Sequence, residues 1–467
     1  MSEIVPGCGE GVSPSPGSQS LADLSPRNRG RGGGAASVLQ AEQSLHYERI
    51  PITPTSPPVS GGEVATSLRV AGEGETPYPP PGTVPSIPPQ SLNLPACGGG
   101  RRESSSGGWG GNLTNSSSLP PTGSQSLATS PTREKGKTSG VTVVTGGAGF
   151  IGSHLVRLLV ERGERVRVID RPGVRLDHLP LDKINLVLAD IRDRAAVRAA
   201  VRGANVVYHL AANPQLWTHR RADFHRVNYL GTVHVLEESL AAGATRIVHT
   251  STESILTRSR QPTPIAEDQD VPARDVIGPY CRSKFRAERF AFHLARSGAP
   301  VVIVNPTLPI GPGDWGHSPP TQMMLDFCLG KRSAYLDGDL NLMDVRDIAA
   351  GMIAAMGKGR PGVRYLLGAE NWSIRSVFGY LAKLTGLPEP RWRVPYPVAL
   401  TAAYVSEWVA DVFTGTIPAA TVTGVKLTRR RMHFDASRSL AELGITPRPA
   451  SESIAEAVAW FRSVGWI

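Results

Sequence analysis

The stretch that decides the fold reads Val141-Thr-Val-Val-Thr145 and continues as Gly146-Gly147-Ala148-Gly149-Phe150-Ile151-Gly152. Its first five residues are β-branched and predict a short buried strand. The glycines that follow predict a tight turn, and an apolar pattern with helical spacing covers residues 153–162. A strand, a glycine-rich turn and a helix in this order predict the first unit of a parallel α/β sheet.

Strands and helices continue to alternate after this unit. The same patterns predict strands at residues 165–169, 185–188, 205–210, 246–249 and 300–304, and helices at 194–201, 227–242 and 279–296. We therefore expect an α/β fold, a Rossmann-type doubly wound parallel sheet covered on both faces. After residue 306 the pattern loosens into loops and ends in a predicted helix at 451–462. The expected division is a first domain over residues 140–310 and a smaller lobe over 311–467 that covers the carboxyl ends of the strands.

The spacing Gly146-x-x-Gly149-x-x-Gly152 indicates a dinucleotide site in the first domain. Glycine permits the tight turn, lets the main chain approach a pyrophosphate and allows the helix to pack closely. Phe150 and Ile151 begin the helix, whose free N–H groups and positive dipole end are directed at the phosphates. The first domain is thus expected to bind NAD(P), and a purely structural turn is the alternative.

An acidic residue ends the second predicted strand. Asp170 can accept hydrogen bonds from the adenosine ribose hydroxyls and repel a 2′-phosphate, which favours NAD. Arg171 follows directly and can pair with a 2′-phosphate, so NADP is the alternative. Asp190 and Ile191, at the end of the third strand, are predicted to lie at the adenine, with a solvated loop aspartate as the alternative.

A tyrosine and a lysine four residues apart predict a proton-transfer pair on one helix face. In the run Tyr280-Cys-Arg-Ser-Lys284 the helix is begun by Gly278-Pro279. The ordinary pKa of tyrosine is too high for proton exchange near neutral pH, so we expect Lys284 and a cationic nicotinamide to lower the pKa of Tyr280. Thr250-Ser-Thr252, the hydroxyl run, ends a predicted strand. Its side chains can hydrogen-bond the substrate oxygen on which Tyr280 acts as acid or base.

These residues together resemble the extended short-chain dehydrogenase/reductase family. The similarity is carried by the glycine turn, His209-Leu-Ala211-Ala212, Asn228-x-x-Gly231-Thr232, the hydroxyl run and Tyr280…Lys284. The runs at residues 278–285, 304–313 and 429–434 are similar, more narrowly, to the hopanoid-associated sugar epimerase group, which itself resembles dihydroflavonol 4-reductase. The resemblance covers residues 141–463.

The resemblance implies a set of site residues. Thr252 is the implied catalytic hydroxyl, with Ser251 as the alternative, beside Tyr280 and Lys284. The implied supporting and cofactor-contacting positions are Asn228, Ala211, Ala212 and Asn305. Two departures bear on the substrate and the cofactor: residues 213–217 differ from the narrower group, and Asp170 stands where that group often has no acid. A homodimer formed through the two long helices of the first domain is also implied.

The expected activity is NAD(P)-dependent hydride transfer at a secondary alcohol or ketone. A sugar epimerase or dehydratase, acting on a nucleotide sugar or a lipid-linked sugar, is the first interpretation. A reductase similar to dihydroflavonol reductase or 3β-hydroxysteroid dehydrogenase is the second, and a non-catalytic dinucleotide sensor the third. Substrate contacts are expected from loops 215–220, 253–256 and 313–321, with Trp217, Trp315 and His317 as candidates.

Composition separates the first 140 residues from the remainder. They hold 23 Gly, 19 Pro and 23 Ser, with 10 basic and 10 acidic residues, so segment 1–139 is expected to be a disordered tail and the net charge of +10 lies on the folded part. The four cysteines form no C-x-x-C pair, so we expect no metal site and a reducing cytoplasm. No nucleic-acid partner is expected.

Residues 396–413 are apolar along much of their length, interrupted by Glu407 and Asp411, with Arg429-Arg-Arg431 downstream. We expect a core helix followed by a solvated charge run, and contact with a membrane surface, peripheral at most, is the alternative.

Overall fold

The computed structural model describes residues 140–258 and 264–467. The tail expected over residues 1–139 lies outside the described residues. The strands, numbered along the described part, are β1 (Val141–Thr145), β2 (Val166–Asp170), β3 (Ile184–Leu188), β4 (Ala204–His209), β5 (Arg246–Thr250), β6 (Val301–Pro306), β7 (Leu308–Ile310), β8 (Ala334–Tyr335), β9 (Asp339–Asp344), β10 (Arg364–Leu367), β11 (Glu370–Ser373) and β12 (Trp392–Arg393).

The α-helices are numbered in the same way. They are α1 (Phe150–Glu161), α2 (Arg194–Ala200), α3 (Ala222–Phe224), α4 (Gly231–Ala241), α5 (Gly278–Arg296), α6 (Pro319–Cys328), α7 (Val345–Lys358), α8 (Ile374–Thr385), α9 (Tyr396–Val409), α10 (Val422–Thr428), α11 (Ser437–Leu443) and α12 (Ala450–Ser463). Short 3₁₀ turns cover Glu253–Leu256 and Ala273–Asp275, and π-helical segments cover His225–Leu230 and Ala410–Thr414.

Seven parallel strands form the main sheet in the order β10-β6-β5-β4-β1-β2-β3. Alternate residues of each strand face opposite sides: Val144 belongs to the cluster that contains α1 and α7, and Val143 to the cluster that contains α4. Both valines are fully buried, as expected for a sheet covered on both faces. The Rossmann-type α/β prediction is confirmed.

Residues after 310 contribute to this sheet as well as to the second lobe. Strand β10 is an edge strand of the main sheet, and α7 packs against α1. The remaining strands form a three-stranded sheet in the order β11-β9-β7 and a two-stranded sheet of β12 and β8. A separate apolar cluster lies among α6, α8 and α12, where Phe327, Phe378 and Phe461 are buried.

The helix predicted at residues 227–242 is longer and less regular than expected. It begins at α3, passes through the π-helical segment His225–Leu230 and continues as α4. One extra residue per turn changes the direction of the side chains, and such segments often occur at functional sites. Asn228 lies in this segment and is completely buried.

The core-helix expectation for residues 396–413 is wrong. Helix α9 and the π-helical segment after it leave their large apolar side chains at the surface, among them Val405, Trp408 and Phe413. Within residues 140–258 and 264–467, no helix has both the length and the apolar character needed to cross a membrane.

Candidate active site

Gly146, Gly149 and Gly152, at the turn between β1 and α1, each lie close to main-chain atoms. Gly146 has φ +71°, and a Cβ there would lie 2.7 Å from the main-chain nitrogen of Ala211. A Cβ on Gly152 would lie 2.1 Å from the Gly146 carbonyl oxygen, and one on Gly149 would lie 3.2 Å from that same oxygen. The turn therefore requires glycine at Gly146 for its conformation and at Gly152 for the close approach of α1.

The amino end of α1 fits the phosphates of a dinucleotide. Its N-cap is Gly149, which supplies no side-chain acceptor, and its first turn has no acidic residue. Phe150 and Ile151 thus begin a helix whose first N–H groups are not capped by a side chain at the N-cap, and whose dipole favours an anion.

Asp170 is fixed at the end of β2 beside this turn. Its Oδ2 accepts a hydrogen bond from the Ala148 main-chain nitrogen at 2.9 Å, and its Oδ1 accepts one from that of Arg171 at 2.8 Å. Burial raises the pKa of Asp170, and these two donors oppose the rise. Because each carboxylate oxygen has a second lone pair, Asp170 can still accept from ribose hydroxyls. The side chain of Arg171 is exposed.

Of the remaining predicted cofactor residues, two are in contact with other protein groups and two are partly exposed. Asp190 binds Arg192 through both carboxylate oxygens, and this contact lowers the pKa of Asp190. Ile191 is buried against Gly231 on α4, so its side chain faces the helix. Ala211 and Ala212 follow β4 and are partly exposed at the glycine turn.

Asn305 is completely buried behind the hydroxyl run. Its Nδ2 donates to the Thr252 carbonyl oxygen at 2.9 Å and to Oε2 of Glu288 at 2.8 Å. In this arrangement Asn305 fixes the position of Thr252.

A chain of hydrogen bonds connects the glycine turn to the π-helical segment. The Ala211 N–H donates to Oγ1 of Thr145 at 3.2 Å, and that oxygen lies 2.8 Å from Nδ1 of His209. Nε2 of His209 lies 2.9 Å from Oγ1 of Thr232, which donates to the Asn228 carbonyl oxygen at 2.7 Å. Burial lowers the pKa of His209 to about 3, so the ring is neutral, with Nδ1 as the acceptor and Nε2 as the donor.

Asn228 continues this chain to the helix that carries the tyrosine. Its Oδ1 accepts from the Asn213 main-chain nitrogen at 2.7 Å, and its Nδ2 donates to Oγ of Ser283 at 3.0 Å. Ser283 in turn donates to the Tyr280 carbonyl oxygen at 2.6 Å. One buried amide thus fixes both the loop after β4 and the first turns of α5. This matches the supporting role that the resemblance implies.

The structure brings Thr252, Tyr280 and Lys284 together at the carboxyl end of β5. The Thr252 hydroxyl lies close enough to the Tyr280 phenol to act on its pKa. Lys284 is buried one turn further along α5, and its Nζ donates to the Thr250 carbonyl oxygen at 2.7 Å. The predicted hydroxyl, phenol and ammonium therefore share one site. Oγ of Ser251, the alternative hydroxyl, is buried with no hydrogen-bond partner among the described residues.

The residues packed around Tyr280 act on its pKa in the direction opposite to that expected of a bound nicotinamide, whose effect stays a prediction. Desolvation raises the pKa of Tyr280, and the charges of Cys281 and Glu253 add to the rise. The side chain of Thr252 opposes it. Burial lowers the pKa of Lys284 to about 8, and Glu288 opposes that shift. Lys284 is directed at a carbonyl oxygen, so its ammonium does not offset the desolvation of the phenol.

Glu253, predicted only as part of the substrate loop 253–256, has a definite position beside Thr252. Its Oε2 accepts a hydrogen bond from Oγ1 of Thr252 at 2.8 Å, and Oγ of Ser254 lies 3.1 Å from the same hydroxyl. Burial raises the pKa of Glu253 to about 7, and the bond from Thr252 opposes the rise. A carboxylate directly after a predicted catalytic hydroxyl is the signal that could have identified it.

The three substrate candidates are packed side chains. Trp217 is buried, with the guanidinium of Arg221 above its ring. Trp315 lies edge-on to Trp460, at 4.9 Å between centroids. The His317 ring lies against that of Trp466, with centroids 4.2 Å apart and the planes tilted by 32°, and its φ of +50° is the only positive value at a non-glycine residue in the described part of the chain. Their contact with substrate stays a prediction.

Comparisons with known proteins agree with this geometry. A model of the NAD-dependent epimerase/dehydratase family matches residues 142–368. A putative dihydroflavonol 4-reductase of Synechocystis is 37% identical over 328 residues, covering 69% of this chain and 95% of the relative. The chain belongs to the NAD-dependent epimerase/dehydratase family. The expectation of an NAD(P)-dependent enzyme is thereby confirmed.

Two further similar proteins each cover about the same share of this chain. Sterol demethylase protein B of Methylococcus capsulatus is 33% identical over 327 residues, covering 70% of this chain and 99% of the relative. The crystal structure of gox2253 superposes with a TM-score of 0.63 at 34% identity and covers 70% of this chain and 99% of that one.

Proposed function

We propose that this enzyme oxidises a secondary alcohol, or reduces the corresponding ketone, on an apolar small molecule, and that Tyr280 carries the proton. The observation that carries the proposal is that Thr252, Tyr280 and Lys284 lie together at the carboxyl end of β5. Two hydroxyl groups can hold one substrate oxygen between them, as acid–base catalysis at that oxygen requires.

The residues around the glycine turn are proposed to hold the dinucleotide. Gly146, Gly149 and the first N–H groups of α1 would bind the pyrophosphate, and Asp170 the adenosine ribose. A bound dinucleotide would supply or accept the hydride and, in its oxidised form, would add positive charge to the site. Lys284, tied to the Thr250 carbonyl oxygen, is placed to bind the nicotinamide ribose.

Proton transfer then depends on groups of this chain. Tyr280 Oη gives its proton to a carbonyl oxygen in the reductive direction and takes it from an alcohol in the oxidative direction. Thr252 orients that oxygen, and Glu253 and Ser254 fix the Thr252 hydroxyl in turn. Phe224 lies edge-on to the Tyr280 ring at 6.2 Å between centroids, so the surroundings of the phenol are partly apolar.

The names of two relatives and the apolar residues beside Tyr280 support an apolar substrate. The names of the two relatives with the highest reported coverage refer to a dihydroflavonol reductase and to sterol demethylation. Phe224 is buried and packs edge-on to Tyr280, and Val276 is buried in the apolar cluster that Tyr280 packs against. A sugar epimerase or dehydratase, the first interpretation from the sequence, is the alternative that the family description favours.

One experiment separates the two. The purified chain is denatured, any released nucleotide is identified by mass, and native enzyme is assayed with NAD⁺ and NADP⁺ against 3β-hydroxysterols, flavonoid alcohols and nucleotide sugars. Net formation of reduced cofactor with an apolar alcohol supports the proposal. Conversion of a nucleotide sugar with stoichiometric bound NAD and no net reduction would overturn it, since an epimerase keeps its cofactor through the cycle.

We also propose a cytoplasmic homodimer paired through α4 and α5, as the resemblance implies. Sedimentation equilibrium of the full chain gives its mass directly, and a monomer at micromolar concentration contradicts the dimer.

A further inference from the structure

Helix α9 and the π-helical segment after it present an apolar surface to solvent. Val405 is 54% exposed, Trp408 57% and Phe413 70%. Together with Val398, Ala402 and Val412 these residues form the α9 face, whose members recur mostly every three or four positions. On the helix of a soluble domain such a stripe normally faces the core. Here it faces outward.

The polar side of the same segment is turned toward the protein. Glu407 accepts hydrogen bonds from the Val422 main-chain nitrogen at 2.8 Å and from Arg221 at 3.3 Å. Asp411 accepts from the same guanidinium at 3.0 Å. The two acids that interrupt the apolar run are therefore engaged with the protein, and the helix is amphipathic with its apolar side outward.

Cationic side chains flank this face. Nζ of Lys426 lies 5.6 Å from the centroid of the Tyr404 ring, and the guanidinium of Arg429 lies 4.6 Å from that of Tyr396. Arg429 is exposed, and so is Arg393, which pairs with Asp337. An apolar stripe with tryptophan and tyrosine, bordered by basic residues, is the composition of a helix that lies in a lipid interface.

We propose that the α9 face rests on the surface of an anionic lipid bilayer. Anionic headgroups would neutralise Lys426 and Arg429, while Trp408 and Phe413, whose rings lie edge-on at 5.4 Å, would enter the boundary of the acyl chains. A second copy of this chain is a poorer occupant, because a symmetric contact would bring the same cations of both copies together.

The α9 face lies on elements that adjoin the active site, and this placement would give binding to a membrane a function. Arg221, which binds Glu407 and Asp411, directly precedes α3, and Phe224 of α3 packs against Tyr280. Thr423 of α10 lies against Gly278, the first residue of α5. The lipid-facing lobe thus adjoins the start of the catalytic helix. If the proposed function holds, an apolar substrate dissolved in the bilayer would meet the protein beside the elements that carry the site.

Cosedimentation with vesicles tests the inference without any turnover, so its failure is distinct from failure of the proposed function. The full chain is mixed with vesicles of phosphatidylcholine alone or with 30% phosphatidylserine. Binding is expected only to the anionic vesicles and should weaken as salt rises. Replacing Trp408 and Phe413 together by Ala should weaken binding at least tenfold, and Arg429→Gln about fivefold.

Leu181→Ala is the matched control, because Leu181 is an exposed apolar residue of the first domain outside this face. It should bind vesicles as the wild type does. Equal binding to neutral vesicles, no binding to anionic vesicles, or full binding by the Trp408/Phe413 double variant would each overturn the proposal. A double variant that instead changes the mass of the particle in sedimentation would assign the face to a second copy.

Discussion

The glycine turn and helix α9 are determined by the sequence in different ways. At the turn, each requirement is local: a Cβ on Gly146 or Gly152 would meet main-chain atoms within 3 Å. At α9, residue types alone suggest burial, yet the orientation depends on Arg221 and on the Val422 main chain, which bind the polar side of the helix. A short motif is therefore enough to predict where glycine is required, whereas the burial of a helix depends on partners distant in sequence.

The largest expected effect concerns Tyr280, which was predicted from a short motif as the glycine turn was. Tyr280→Phe removes the hydroxyl that meets Thr252 and keeps the ring that packs against Phe224. We expect kcat to fall about 10³-fold, because a positioned acid–base group contributes ~10²–10⁴-fold. Steady-state assays on the substrate identified above measure the fall. Cofactor affinity and thermal unfolding should be nearly unchanged, and turnover within tenfold of the wild type would remove Tyr280 from its role.

The next test compares two glycines with the same backbone conformation. Gly146 and Gly163 have φ of +71° and +75°, but a Cβ on Gly163 would have no atom within 4 Å. Gly146→Ala should weaken NAD binding at least tenfold in a calorimetric titration, since Ala211 must move away. Gly163→Ala bears only the conformational cost of ~1–2 kcal/mol and should bind NAD normally. Equal loss in both would mean that the close approach is unimportant.

Much of the fold and the central site could be predicted because their signals are local. β-branched runs, turn glycines and the spacing from Tyr280 to Lys284 placed the main strands and the reacting groups on the correct elements. The edge strand β10 and the π-helical segment around Asn228 could not be predicted, since each depends on contacts with distant residues. The burial that raises the pKa of Tyr280 within the protein could not be predicted either, because desolvation is a property of the packed site.

A smaller effect is expected at the end of β2. Asp170→Asn replaces one carboxylate oxygen with an NH2 group that cannot accept a hydrogen bond, so one of the two bonds from the Ala148 and Arg171 N–H groups is lost. It also removes the negative charge that would repel a 2′-phosphate. The ratio of NAD to NADP affinity should fall about tenfold. Asp190→Asn, whose carboxylate is engaged by Arg192, is the control and should change the ratio less. An unchanged ratio in Asp170→Asn would show that Arg171 or another group selects the cofactor.

The smallest expected effect concerns Glu253, whose position beside Thr252 no local rule gave. Burial raises its pKa from 4.5 to about 7, so the folded state holds the proton more tightly than the unfolded chain. Its contribution to stability is therefore full below pH 4.5 and is lost as the pH rises through 7. Glu253→Gln, which cannot ionise, should be more stable than the wild type at pH 8, with little difference at pH 4.5.

Urea unfolding at the two pH values measures this difference, and groups common to both proteins cancel. Glu238 offers a control of opposite sign, because Arg198 and Arg194 lower its pKa to about 2. Glu238→Gln should destabilise the chain at pH 8, by an amount that shrinks as the pH falls through 4.5 toward 2. If Glu253→Gln also destabilises at pH 8, the ionised carboxylate is held by favourable contacts. The hydroxyl of Thr252 would then be positioned by a charge and not by a neutral acid.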